Sequence, residues 1–206
     1  MALHEGYNSA EVIGVQWAAI WFPKTGNFAL PQSLANFDPQ KPETYPTAWA
    51  PIGLTSAESL PKPTTDGGDA QVLNTAELPS VISIKGVTTT KLEFTVPSLN
   101  EKTLQMAWGG GKATSLIEIG TDALKAKAQE LNFNAADMET SAWMIYSGGG
   151  KTLSLYFPRI SVSSKTFSEI SLQGLFAIPF AGTALAPTAE QAKQLKTSAS
   201  GLVILP

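Results

Sequence analysis

The chain has 206 residues, of which 43% are hydrophobic and 15% charged, with a net charge of −3 and no cysteine. The missing cysteine excludes disulfides, a thiolate nucleophile and cysteine metal cages, and the weak acidity argues against the basic stripe with which proteins grip nucleic acid. The length suits one domain over 1–206, no apolar run is long enough to span a bilayer, and Met1 to Glu5 lack the features of a secretory signal, so a soluble protein made in a cytoplasm is expected. In chain order, Val12 to Phe22 is apolar and aromatic and stops at the turn Pro23-Lys-Thr-Gly26, which predicts a strand. Asn27 to Leu60 is proline-rich and reads as a long ordered loop, with one short strand at Ala48 to Gly53. Pro61 to Asp69, with Asp66-Gly-Gly-Asp69 at its end, reads as a turn-rich, flexible or partner-dependent excursion. Val81, Ile82 and Ile84 suggest a strand, and Val87 to Val96 is the clearest one, with Thr90, Leu92, Phe94 and Val96 on one face. Ser98-Leu-Asn-Glu101 is a capping-box pattern leading into a short helix to Trp108, closed by Gly109-Gly-Gly111.

Lys112 to Ile119 reads as a strand, and Thr121 to Leu131 suits either a helix or a strand. Trp143 to Tyr146 and Thr152 to Phe157 flank Ser147-Gly-Gly-Gly150 in a hairpin pattern. Arg159 to Val162 and Ser168 to Phe180 add further strands, and Thr188 to Leu195 is helix-like before the apolar end Leu202 to Pro206. Seven to nine strands with one or two helices indicate a mainly β sandwich or barrel.

The sequence offers chemistry little foothold. The single histidine, His4, would have to serve a Ser-His-Asp triad from near a terminus. Gly148-Gly-Gly-Lys-Thr152 ends like a phosphate-binding loop, but Ile145 stands where the first glycine belongs and a strand pattern follows instead of a helix. Gly109-Gly-Gly-Lys112 has Met106 at the corresponding place. Asp66 and Asp69 lack the alternating ligands and final Glu of a calcium loop. Asp137 and Glu139 qualify for acid-base work only if a cleft brings them together. Trp17, Trp21, Trp49, Trp108 and Trp143 sit in regular-element patterns, which points to packing or subunit contact before sugar or base stacking. Catalytic, metal and cofactor sites are therefore expected to be absent. Charged residues are scarce against the about 25% of an ordinary domain, a surface suited to association.

Four segments in this order resemble the major tail tube proteins of siphophages, especially those of actinobacterial hosts. They are Ala18 to Phe22 with its Pro-Lys-Thr-Gly turn and Leu30-Pro-Gln-Ser33; Trp49-Ala-Pro-Ile-Gly-Leu-Thr-Ser56; Asp66 to Thr75 running through Leu78-Pro79; and Phe94 to Gly111. The late hairpin through Tyr156-Phe-Pro-Arg159 adds to them, while Ala76-Glu77 stands where the family pattern has an aromatic. The resemblance implies two packed β-sheets with a flanking helix, and subunits that form hexameric rings stacked into a tube by heterologous contacts. It implies partners in the tape-measure, tail terminator and distal tail or baseplate proteins, and DNA that passes without specific binding. The regions 27–79 and 186–206 are the expected reach between rings, with Asp66, Gly67, Gly68, Asp69, Val72, Leu73, Leu202 and Ile204 as contact residues. Glu93 and Glu118 are expected to face the lumen. A decoration or baseplate protein, or a carbohydrate-binding module, are the competing readings.

Overall fold

The computed structural model describes residues 14–53, 55, 60–68, 70–73, 82–85, 88–98, 100–108, 116–119, 126–129, 137–164, 177–195 and 203–205. Among these residues the chain is mainly β, with strands β1 (Trp17–Pro23), β2 (Trp49–Pro51), β3 (Lys62–Gly67), β4 (Ala70–Leu73), β5 (Ile82–Lys85) and β6 (Thr88–Val96) preceding helix α1 (Glu101–Trp108). After it come β7 (Leu116–Ile119), β8 (Ala126–Gln129), β9 (Met138–Gly148), β10 (Lys151–Ser163), β11 (Ile178–Ala184), helix α2 (Ala189–Leu195) and β12 (Val203–Leu205). The strands outnumber the expected seven to nine because β3, β4, β8 and β12 are short or polar and carry weak periodicity. The segment 126–129 takes the strand alternative. His4, Gly109–Gly111 and Ser168 to Leu175 lie outside the described residues.

One antiparallel sheet runs β2-β1-β9-β10-β11-β6-β3, with β12 also on β10, and it does not close into a barrel. Three strands separate β1 from β6 in this order, about 19 Å across a flat sheet at ordinary strand spacing. Yet the rings of Phe22 and Phe94 lie 6.2 Å apart. The sheet therefore folds over itself, and the two layers expected as separate sheets are halves of one. The fold runs along β10, which pairs with β9 along its length, with β12 through residues 154–156 and with β11 through residues 160–163. Between Phe157 and Ile160 the register shifts, so Pro158 and Arg159 oppose Ser141 alone. Proline cannot donate to the ladder, and bulges of this kind let a strand turn from one layer into the next. Between the layers lie Ile20, Phe22, Leu92, Phe94, Val96, Met144, Phe157, Ile160, Ile178 and Phe180, with Met106 and Trp108 of α1. Gly182 lets Ile160 pack close there: a Cβ on it would stand 2.5 Å from Ile160 Cδ1, so that side chain would have to shift.

Helix α1 is capped one residue pair later than the sequence pattern suggests. Asn100 Oδ1 accepts from Thr103 N–H at 2.9 Å, and Asn100 N–H donates to Thr103 Oγ1 at 3.0 Å. This is the reciprocal capping arrangement with Asn and Thr in the two roles; Ser98 instead supplies a carbonyl to the Thr103 hydroxyl. Asn100 Nδ2 also donates to the Ile52 carbonyl at 3.0 Å. Gly53, at φ +143°, allows this approach, since a Cβ there would meet Ser98 Cβ at 2.7 Å.

The outer face of the β2-β1-β9-β10 layer is also apolar, formed by Trp21, Trp49, Trp143, Ile145 and Tyr156, and residues 29–45 cover it with Leu34, Phe37 and Tyr45. At the bulge Ser141 N–H donates to Asn27 O at 2.9 Å, and its hydroxyl accepts from Ala29 N–H at 3.1 Å. Tyr156 Oη donates to Ala29 O at 2.8 Å and Trp49 Nε1 to Leu30 O at 3.0 Å. The first part of the long loop is thus bound to its own subunit by aromatic packing and four directed bonds.

Two phenols, one buried (Tyr156) and one half-buried (Tyr146), tie such contacts to pH. Burial pushes Tyr146, which donates to the Pro61 carbonyl across the layers, up to about 12, and it raises Tyr156 as well. Because the folded pKa lies above the unfolded one, this stability is fully present below about pH 10 and is lost as pH rises through the folded value. An alkaline denaturation series is expected to show a stability plateau that falls above about pH 10, with Tyr146→Phe making the fall shallower.

Candidate interaction surface

The other outer face contrasts with the covered one. On β6 the side chains of Leu92, Phe94 and Val96 are buried, whereas Thr89, Lys91, Glu93 and Thr95 point away from the core. Antiparallel register extends that outward face to Lys62, Thr64 and Asp66 of β3, to Pro179, Ala181 and Thr183 of β11, and to Ser161 and Ser163 of β10. Opposite residues in a ladder share a face, and Glu139 joins it opposite Ser161. None of these side chains is buried. The surface is short-chained, rich in Ser and Thr, and carries both signs of charge.

Its charges are matched. Lys91 Nζ bonds to Asp66 Oδ2, and Lys62 stands opposite Glu93 in register. Arg159 Nε and Nη2 donate to Glu139 Oε2 at 2.9 and 2.7 Å. The ammonium beside it, with the Gly67 backbone, holds the Asp66 carboxyl below its ordinary value, and Asp66 in turn raises Lys91. Cations with carboxylates beside them offer phosphate little net attraction.

At the edge of this face the β3–β6 ladder ends with Gly67 opposite Thr88, and β4 and β5 form a separate two-stranded ribbon in which Ala70 pairs with Lys85. Gly67 and Gly68 have φ of +81° and +84° at the junction, a conformation glycine adopts at little cost. The excursion expected at Pro61 to Asp69 is therefore a strand over residues 62–67. Its Thr64 and Thr65 suit pairing, and Pro63 is tolerated because β3 is at the edge of the sheet.

Of the expected contact residues, Asp66 and Gly67 end β3 and Gly68 follows them, and Val72 and Leu73 pair in β4 with Ser83 and Ile82. Ile204 pairs with Leu155 of its own β10; Asp69 and Leu202 lie outside the described residues. Glu93 stands on the exposed polar face, and Glu118 pairs with Lys127 between β7 and β8, away from the main sheet. Thr89, Lys91, Thr95, Ser161 and Thr183 complete the face. Their signal was the polar half of the same alternation that marks the core positions.

The motifs that mimic chemistry have structural roles. Gly149 and Gly150, with φ of +61° and +74°, form the two-residue turn between β9 and β10, and Lys151 pairs with Gly148. Two successive positive φ values match the right-handed strand twist of a tight hairpin. Glu139 is engaged by Arg159. Trp21, Trp49, Trp108 and Trp143 are fully buried, which leaves them no face for a sugar ring.

A family model described as phage tail tube protein matches residues 5–198. No curated protein sequence matches the chain.

Proposed function

Given that the chain belongs to the phage tail tube protein family, we propose that its subunits close into hexameric rings and that the rings stack into the tail tube of a siphophage. Family membership makes this a structural component of a phage tail that assembles with other tail proteins. The observation that carries the finer reading is the difference between the two outer sheet faces: one is covered by the subunit's own loop, the other is exposed, short-chained and charge-matched. A conduit wall needs those properties, because free cations would hold phosphate and slow DNA on ejection. The polar face centred on Glu93 lines the channel. The edge of β3 meets a different surface of the next subunit, a heterologous contact that closes a ring. The β4–β5 ribbon, together with residues 186–206, reaches the neighbouring ring, and tape-measure, terminator and distal tail or baseplate proteins bind at the tube's interior and ends.

The absence of native cysteine makes this testable with one introduced thiol. Glu93→Cys is expected to react with a small maleimide in both subunit and tube, and with a large polymer-linked maleimide in the free subunit only. Equal reaction with the large reagent in intact tubes would place the face outside the channel.

A further inference from the structure

At the N-terminal end of α1 a groove of about 600 Å³ is lined by Pro23, Lys24, Asn27, Asn100, Lys102 and Gln105, among others, and by no Asp or Glu among the described residues. None of its lining comes from β3, β6 or β11, which carry most of the polar face. The Lys102 ammonium is half-buried and donates to the Pro23 carbonyl at 2.9 Å, which uses one of its three hydrogens. Burial, and then the nearby Lys24 charge, lower its pKa. Neither Lys24 nor Lys102 has an ion-pair partner among the described residues, whereas Lys41, Lys91 and Arg159 each do. Half-buried Lys102 and exposed Lys24 thus share one concavity without a counter-ion among the described residues, although a partly desolvated charge such as that of Lys102 is ordinarily paired.

We infer that this groove receives a carboxylate side chain from a neighbouring copy of the chain. The inference rests on the tube reading, in which every subunit is surrounded by copies. Charge complementarity selects the copy as occupant: the chain has 17 acidic against 14 basic residues, and Glu43 and Glu190 are exposed with no ion-pair partner among the described residues. Docking places a carboxylate against the remaining donors of Lys102, with Lys24 beside it and the amides of Asn27 and Asn100 in reach of the same groove. The charge that is unfavourable in the free subunit becomes favourable at the interface, so assembly is coupled to salt concentration.

Tubes grown from a mixture of isotopically light and heavy subunits and treated with a zero-length carbodiimide provide the test. The expected result is an amide linking Lys102 or Lys24 to an Asp or Glu of the other isotope. Lys102→Met is expected to raise the critical concentration for assembly about tenfold while leaving the subunit's Tm unchanged or higher. Tubes that form normally with Lys102→Met and give no intermolecular link at either lysine would overturn the inference and leave the tube reading intact. Failure of the wild-type chain to polymerise at all would overturn both. Should Lys102→Met not fold, the cross-links in wild-type tubes decide alone.

Discussion

Trp49→Ala is expected to destabilise the subunit by about 3–5 kcal/mol, the range for truncating a large buried aromatic. Trp49 is fully buried, with its ring 5.4 Å from Trp143 and 6.0 Å from Tyr156 in edge-on geometry. Its indole N–H also holds the Leu30 carbonyl. Truncation leaves a cavity under residues 29–45 and releases one of the bonds that hold them down. A loop that lifts exposes Trp21 and Trp143, an apolar patch of the kind that promotes indiscriminate association. Trp49→Phe keeps most of the packing and loses the bond, so its cost is expected at about 1–2 kcal/mol. Denaturant titration followed by tryptophan fluorescence separates the two. Equal, small effects would mean that the loop is held by other contacts.

Replacing residues 68–87 with Asn-Gly is expected to abolish long tubes while preserving the subunit fold. The cut leaves the Gly67 to Thr88 pair closed by a two-residue hairpin turn, for which Asn-Gly is the favoured sequence. The strand pairing of the main sheet is kept, because among the described residues β4 and β5 pair only with each other. Deleting residues 61–72 instead would remove β3 and is a poorer test. Circular dichroism and thermal melting should match the wild type, and electron microscopy should show free subunits or isolated rings. Tubes of normal length from the shortened chain would remove the ribbon from the stacking contact.

Much of the fold was legible where burial is one-sided. The alternation in residues 88–96 identified the core residues Leu92, Phe94 and Val96, and its other half carries the signal of the polar face. The glycines at 149 and 150 identified the longest hairpin, since φ values of +61° and +74° are natural to them. Local patterns do not carry long-range pairing, and there the reading was incomplete. Residues 62–67 are a strand only because β6 pairs with them, and a composition of Pro, Thr, Asp and Gly resembles a turn until that partner is known. Residues 29–45 were read as outward reach, but Phe37 and Tyr45 cover the subunit's own Trp21, at 6.2 and 4.8 Å between ring centroids. The folding of one sheet into two layers depends on the bulge at Pro158 and Arg159, a change of direction that no periodicity announces. The basic groove joins Lys24 to Lys102, which stand far apart in the sequence.

The central claim, that this chain builds a tube, is tested most directly by electron microscopy of the purified protein across a concentration and salt series. The account predicts hollow rods of stacked rings with sixfold symmetry and an axial channel wide enough for duplex DNA. Monomers at every concentration, or solid filaments without a channel, would contradict it.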